Sequence, residues 1–164
     1  MKTNETATVA KTAGKTKKLR LMQHMEKVVE LSKDSKLSKE CFEKCKPHTA
    51  AISKKLGMTE LQALMMSVYI DQSDNESIRI SDLAKHFDCR NINVMSYSAE
   101  IDGLVEKSYI RRRKRGEQIV YRVPIEVVAV MNKGQAYITP TCKNLSVEQL
   151  FDSLERLYEE AENQ

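Results

Sequence analysis

Tryptophan is absent from this chain of 164 residues, and aromatic residues make up only 5% of it, although methionine occurs eight times. A β-sandwich leans on aromatic packing between its sheets, so this shortage of rings points to a small helical core. Long apolar runs are missing too. No stretch approaches the roughly 18 consecutive apolar residues that span a bilayer, which excludes a membrane-spanning helix. The N-terminus has no apolar segment of the kind a signal peptide needs, so a cytoplasmic protein is expected. In that compartment the four cysteines are expected as reduced thiols, not disulfides.

A phosphate-cradling loop is also wanting. Gly14, Lys15 and Thr16 match the end of the pattern GxxxxGK[ST], but its first glycine would fall on Val9 and no apolar strand precedes it. The 164 residues are therefore not read as an ATPase, and no cofactor is expected. Catalysis has little support: His24, His48 and His86 stand apart in sequence from any acid or nucleophile. Cys89 is the one thiol whose position, beside Arg90 and a helix start, could lower its pKa and make it redox-sensitive; a buried turn residue is the other reading.

What is present is charge, unevenly spread. The formal net charge is +4, yet the first twenty residues carry six cations against Glu5. Arg111 to Arg122 carries six cations against Glu117, and Thr141 onward has two cations against six acids. Two basic regions and an acidic tail are hidden in a mild average.

Periodicity divides the chain. Residues 1–18 are Thr/Lys/Ala-rich without apolar spacing and read as a disordered basic tail. Residues 19–57 read as a helical extension, first through Leu21, Met25, Val28 and Leu31, then from Ser38 to Leu56 through Cys41, Cys45, His48, Ile52 and Leu56. Pro47 either kinks that second helix or begins a new one. Residues 58–134 form the most regular unit. Thr59 and Gln62 make a capping box, followed by a stripe of Leu61, Leu64, Met65, Val68 and Tyr69. A short strand is expected over Ile78–Ile80, then a helix capped by Ser81 with Leu83, Ala84 and Phe87 inward. One longer helix from about Ile92 to Lys107 follows, buried through Val94, Tyr97, Ser98, Ile101, Leu104 and Val105. Strands over Tyr109–Arg113 and Gln118–Val123, turning at Gly116, lead to a helix begun by Pro124 and stopped by Gly134. Residues 135–144 read as a linker and 145–164 as an acidic helix with a second capping box, Ser146 and Gln149, stapled by Leu145 and Leu150.

The expected fold is mainly α with a small β-hairpin: a winged helix-turn-helix with additional N- and C-terminal helices. That order suits DNA, because a protruding helix fits the major groove and a basic hairpin reaches neighbouring phosphates. On the third helix Arg90, Asn91, Asn93 and Ser96 are placed to meet base edges or phosphates, Asn pairing with adenine and Arg with guanine. On the wing Arg111, Arg112, Arg113, Lys114 and Arg115, with Gln118 opening the second strand, would meet the backbone.

Four stretches within about 36–134 carry a family likeness: "DSKLSKECFEKCKP", "LGMTELQALMMSVYI", "ISDLAKHFDCRNINVMSYSAEIDGLVEKSYIRR" and "IVYRVPIEVVAVMNKG". They resemble the N-terminal winged-helix region that precedes the ATPase module in a group of Bacteroides-type AAA-family ATPases, and at fold level they are similar to MarR-like winged helices. The likeness continues into "LSVEQLFDSLERLYEE", the acidic helix expected just before the ATPase. It implies a non-enzymatic DNA-binding or interaction module with a downstream ATPase module as partner.

Other readings stay open. The basic run could be a soluble edge strand protected by charge, or it could meet an acidic protein partner. Glu100, Asp102 and Glu106 bring negative charge to the third helix and would repel a deeply seated duplex. Cys41, Cys45 and His48 share one helix face and could converge on zinc, or they could simply continue a core stripe. The chain could also be a stand-alone dimeric transcriptional regulator, or a winged helix used only for protein interaction.

Overall fold

In the computed structural model, residues 19–138 and 147–163 are described. They form eight helices and one two-stranded antiparallel hairpin, in the order of a winged helix-turn-helix with extra helices at both ends. Helices α1 (Leu21–Ser32) and α2 (Lys39–Leu56) precede α3 (Glu60–Asp71), α4 (Ile80–Phe87), α5 (Asn91–Met95) and α6 (Ser98–Glu106). Strands β1 (Arg111–Arg115) and β2 (Gln118–Arg122), then α7 (Ile125–Asn132) and α8 (Val147–Glu162), complete it. The expected tail over residues 1–18 and the capping serine Ser146 lie outside the described residues.

Helix α3 is the centre. Its capping box forms as the sequence requires, Gln62 N–H donating to Thr59 Oγ1 and Thr59 N–H to Gln62 Oε1. It is buried nearly all round, from Gln62 to Ile70, with only Leu61 of the expected stripe left half-exposed. The reason is tertiary: α1 and α2 cover the side that a two-layer winged helix would leave open. Leu21, Met25, Val28, Cys41, Cys45 and Ile52 join Leu64, Val68, Phe87 and Leu104 in one core. Each large side chain so buried contributes about 1.5–3 kcal/mol. In α1 the buried seam ends on Ser32, and Leu31 turns outward.

Helix α2 runs unbroken through Pro47, so the proline neither begins a second helix nor ends the first. Its buried face passes through Thr49, whose hydroxyl donates to the Cys45 carbonyl, and His48 sits at the edge. The loop to α2 holds Asp34, Lys36 and Leu37 at positive φ. Backbone hydrogen bonds from Asp34 and Lys36 to the His86 and Phe87 carbonyls fix it on the end of α4. The N-terminal extension is thereby bonded to the winged-helix unit as well as packed on it.

Three local expectations are corrected. The strand over Ile78–Ile80 shrinks to a single bridge from Ile78 to Tyr121, because Ile80 already belongs to α4. The cap of α4 is Arg79, whose N–H donates to Asp82 Oδ2, in place of Ser81. The long third helix is two: Ser96 and Tyr97 break it, and the Ser96 hydroxyl donates back to the Asn93 carbonyl. Of its expected buried side, Val94, Ile101 and Leu104 are buried and Ser98 is exposed.

The hairpin pairs Arg111 with Arg122 and Arg115 with Gln118, leaving the two-residue turn Gly116–Glu117. Such turns need positive φ, which Gly116 adopts at 62° without strain. Strand β1 starts two residues later than expected, since Tyr109 and Ile110 are drawn into the core. The Tyr109 hydroxyl donates to the Leu56 carbonyl and accepts from Tyr137 N–H, pinning the start of the linker. No described helix is long and apolar enough to cross a membrane.

Candidate functional site

Alternation along β1 sorts the basic run onto two faces. Arg111, Arg113 and Arg115 share one with their cross-strand partners Arg122, Val120 and Gln118; Arg112 and Lys114 share the other with Tyr121 and Ile119. Arg111 directly opposite Arg122 is a repulsive pair. The structure relieves it from the Arg111 side. Its guanidinium lies 3.0 Å from Glu126 Oε1 on α7 and 3.3 Å from Glu160 Oε1 on α8.

The five cations therefore divide by position. At the root of the wing Arg111 is held by Glu126 and Glu160, and Arg112 by Asp102, 2.6 Å away. Toward the tip Arg115 donates to the Ser77 hydroxyl. Among the described residues no carboxylate lies within ion-pair distance of Arg113, Lys114 or Arg115. The tip keeps its charge while the root uses its own to fasten the hairpin. Gln118 is exposed beside Arg115 at the same tip.

The acids on α6 are partly consumed as well. Asp102 is bound by Arg112, and Glu100 accepts from the Thr59 hydroxyl at 3.0 and 3.3 Å. Glu106 alone of the three stays exposed without a partner among the described residues. The repulsion expected of this helix is correspondingly smaller.

Arg90, Asn91, Asn93 and Ser96 are all exposed on α5 or its caps. Two of them do local work: Asn93 Oδ1 accepts from Arg90 N–H at 3.1 Å, and Ser96 donates within the turn. The Asn93 amide NH₂ remains available to an acceptor. No hydrogen bond or ion pair joins these four to the wing among the described residues. Between them α5 presents Ile92 and Met95, 69% and 56% exposed. Arg122, Ser77, Glu126 and Glu160 were not marked by sequence; strand alternation alone could have added Arg122.

The zinc alternative is not assembled. Cys41 and Cys45 are buried one turn apart on α2, Cys45 lowering the Cys41 pKa, while Cys41 and then burial push Cys45 upward. His48 instead faces His24, Nδ1 to Nδ1 at 3.0 Å. One of these rings must donate and the other accept, and burial followed by the His48 charge lowers the His24 pKa. Of the two readings of Cys89 the structure takes the turn residue: it is half-buried, and burial and then Asp88 raise its pKa. Cys41, Cys45 and Cys89 are free thiols.

No family model, curated protein or solved structure matches the chain.

Proposed function

We propose that this chain is a polyanion-binding winged-helix module whose main ligand is duplex DNA. The observation that carries the reading is the unneutralised tip: Arg113, Lys114 and Arg115 project from a hairpin whose root charges are already satisfied. Clustered like charge at a rigid tip is unfavourable alone and becomes favourable when phosphates release their counterions. The wing supplies affinity, and Arg90, Asn91, Asn93 and Ser96 supply whatever base preference exists. The module contributes binding and no chemistry, acts in the cytoplasm, and, following its sequence resemblance, serves an AAA-type ATPase module.

The test is duplex binding by fluorescence anisotropy at two salt concentrations. Wild type should lose affinity with salt, log K falling by about 0.9 per phosphate contact for each unit of log salt. Replacing Arg113, Lys114 and Arg115 by Glu should abolish most binding and flatten the slope. Absence of duplex binding by wild type, or indifference to these changes, refutes the reading.

One observation favours a second reading, a winged helix used against an acidic protein. Ile92 and Met95 on α5 are exposed, as is Ile119 on the wing opposite Lys114. Exposed apolar anchors suit a protein partner better than phosphate.

A further inference from the structure

Two surfaces of this chain complement one another. The first is α8, which joins the rest of the described structure through Glu160 and Arg111. Its stripe of Phe151, Leu154, Leu157 and Tyr158 is open, Phe151 being 62% and Tyr158 73% exposed. A helix such as this one of 16 residues draws most of its stability in a protein from packing its apolar face. At ~100° per residue, Glu155, Glu159 and Glu162 fall on the flank beside Phe151 and Tyr158, away from Glu160. The apolar stripe thus has one acidic edge that Arg111 does not use.

The second surface is a cleft of about 1230 Å³ where α1, α2 and the end of α7 meet. Leu19 and Met22 contribute its apolar lining, and Arg20, Lys54, Lys55 and Lys133 its rim. No acid lines it. None of these four cations has an ion-pair partner among the described residues. An acid-edged amphipathic helix is what such a cleft fits: apolar stripe to Leu19 and Met22, glutamates to lysines.

We propose that the occupant is α8 of a second copy of this chain, each protomer placing its helix in the other's cleft. Reciprocal exchange about a two-fold axis makes the contact twice and closes the assembly, so no filament results. Self-pairing of two acidic α8 helices would leave the basic rims unmatched, and charge complementarity selects the cleft over that alternative. The assembly would carry two wings, but it does not depend on what the wings bind.

Sedimentation equilibrium over a wide concentration range tests it, with circular dichroism as the folding check. Wild type should form a dimer that weakens with salt. Leu154→Glu with Leu157→Glu should leave a folded monomer. Lys54→Glu with Lys55→Glu should raise the dimer dissociation constant by about tenfold or more, and adding Glu155→Lys with Glu159→Lys should restore it. A monomer at every concentration overturns the proposal and gives the stripe to another partner. A dimer lost with the leucines but indifferent to the lysines overturns it in favour of α8 pairing with itself.

Discussion

The Arg112 guanidinium donates to Asp102 Oδ1 across 2.6 Å, fastening the first strand of the wing to α6. Both side chains are partly in water, 42% and 50% exposed, so the pair itself stabilises the fold by only about 0.2–1 kcal/mol. Its larger effect is on charge: a wing cation and a helix acid cancel where each would otherwise act on a polyanion.

Asp102→Asn should therefore leave thermal stability nearly unchanged and tighten duplex binding about two- to fivefold, the equivalent of one exposed charge pair. Anisotropy at low salt measures it, and the gain should shrink as salt rises. Weaker binding by the variant would mean that the pair positions the wing more than it neutralises it.

Gly103 on α6 faces the buried capping glutamine of α3. A Cβ at that position would stand 2.1 Å from Gln62 Nε2 and 3.3 Å from its Cδ. Because Gln62 Oε1 is committed to Thr59 N–H, the side chain cannot withdraw without giving up the cap. Gly103→Ala should destabilise by about 1–3 kcal/mol in denaturant unfolding despite its higher helix propensity. Adding Gln62→Ala should make the second change cost less than it does alone.

Tyr69 is fully buried, its ring 5.9 Å from that of Tyr121, and its hydroxyl has no hydrogen-bond partner among the described residues. Burial, then the nearby Tyr121, raises its pKa well above the ordinary value. Leaving such a hydroxyl unsatisfied costs about 1–3 kcal/mol. Tyr69→Phe should thus be neutral or stabilising by up to about 1 kcal/mol, read as an unchanged or higher Tm. A marked drop in Tm would show that the hydroxyl has a polar partner in solution.

His86 and His24 give stability a pH dependence. His86 Nε2 lies 3.0 Å from the hydroxyl of buried Ser32, and burial lowers its pKa below 6.5; Asp71 and Asp34 oppose the shift and Lys33 adds to it. His24 is lowered by burial and by His48. A group whose folded-state pKa is depressed binds fewer protons when folded, so its stabilisation is present above 6.5 and is lost as pH falls through the folded value. Urea midpoints should fall as pH drops below 6.5, and His86→Gln with His24→Gln should flatten that fall. An undiminished dependence in the double variant would assign it to carboxylates.

Much of the fold was legible before any coordinates. Thr59 and Gln62 announced the start of α3, the spacing of Leu83, Ala84 and Phe87 its neighbour, and Gly116 the hairpin turn, because each acts through backbone geometry a few residues long. The break at Ser96 was not legible, since a serine hydroxyl folding back on Asn93 competes with helix only weakly in sequence terms. Nor was the full burial of α3 legible, as a helix covered on all sides carries no amphipathic signature.

The sequence by itself determined the helical class, the hairpin and the concentration of positive charge on it, because composition and local spacing suffice for those. Only the tertiary structure decided which charges remain to act. Arg111 and Arg112 meet acids from α6, α7 and α8, partners brought up by packing across distant segments, whereas Arg113, Lys114 and Arg115 have no carboxylate within ion-pair distance among the described residues. Coulombic pairing acts at a few ångströms in space, and that distance is set by the fold.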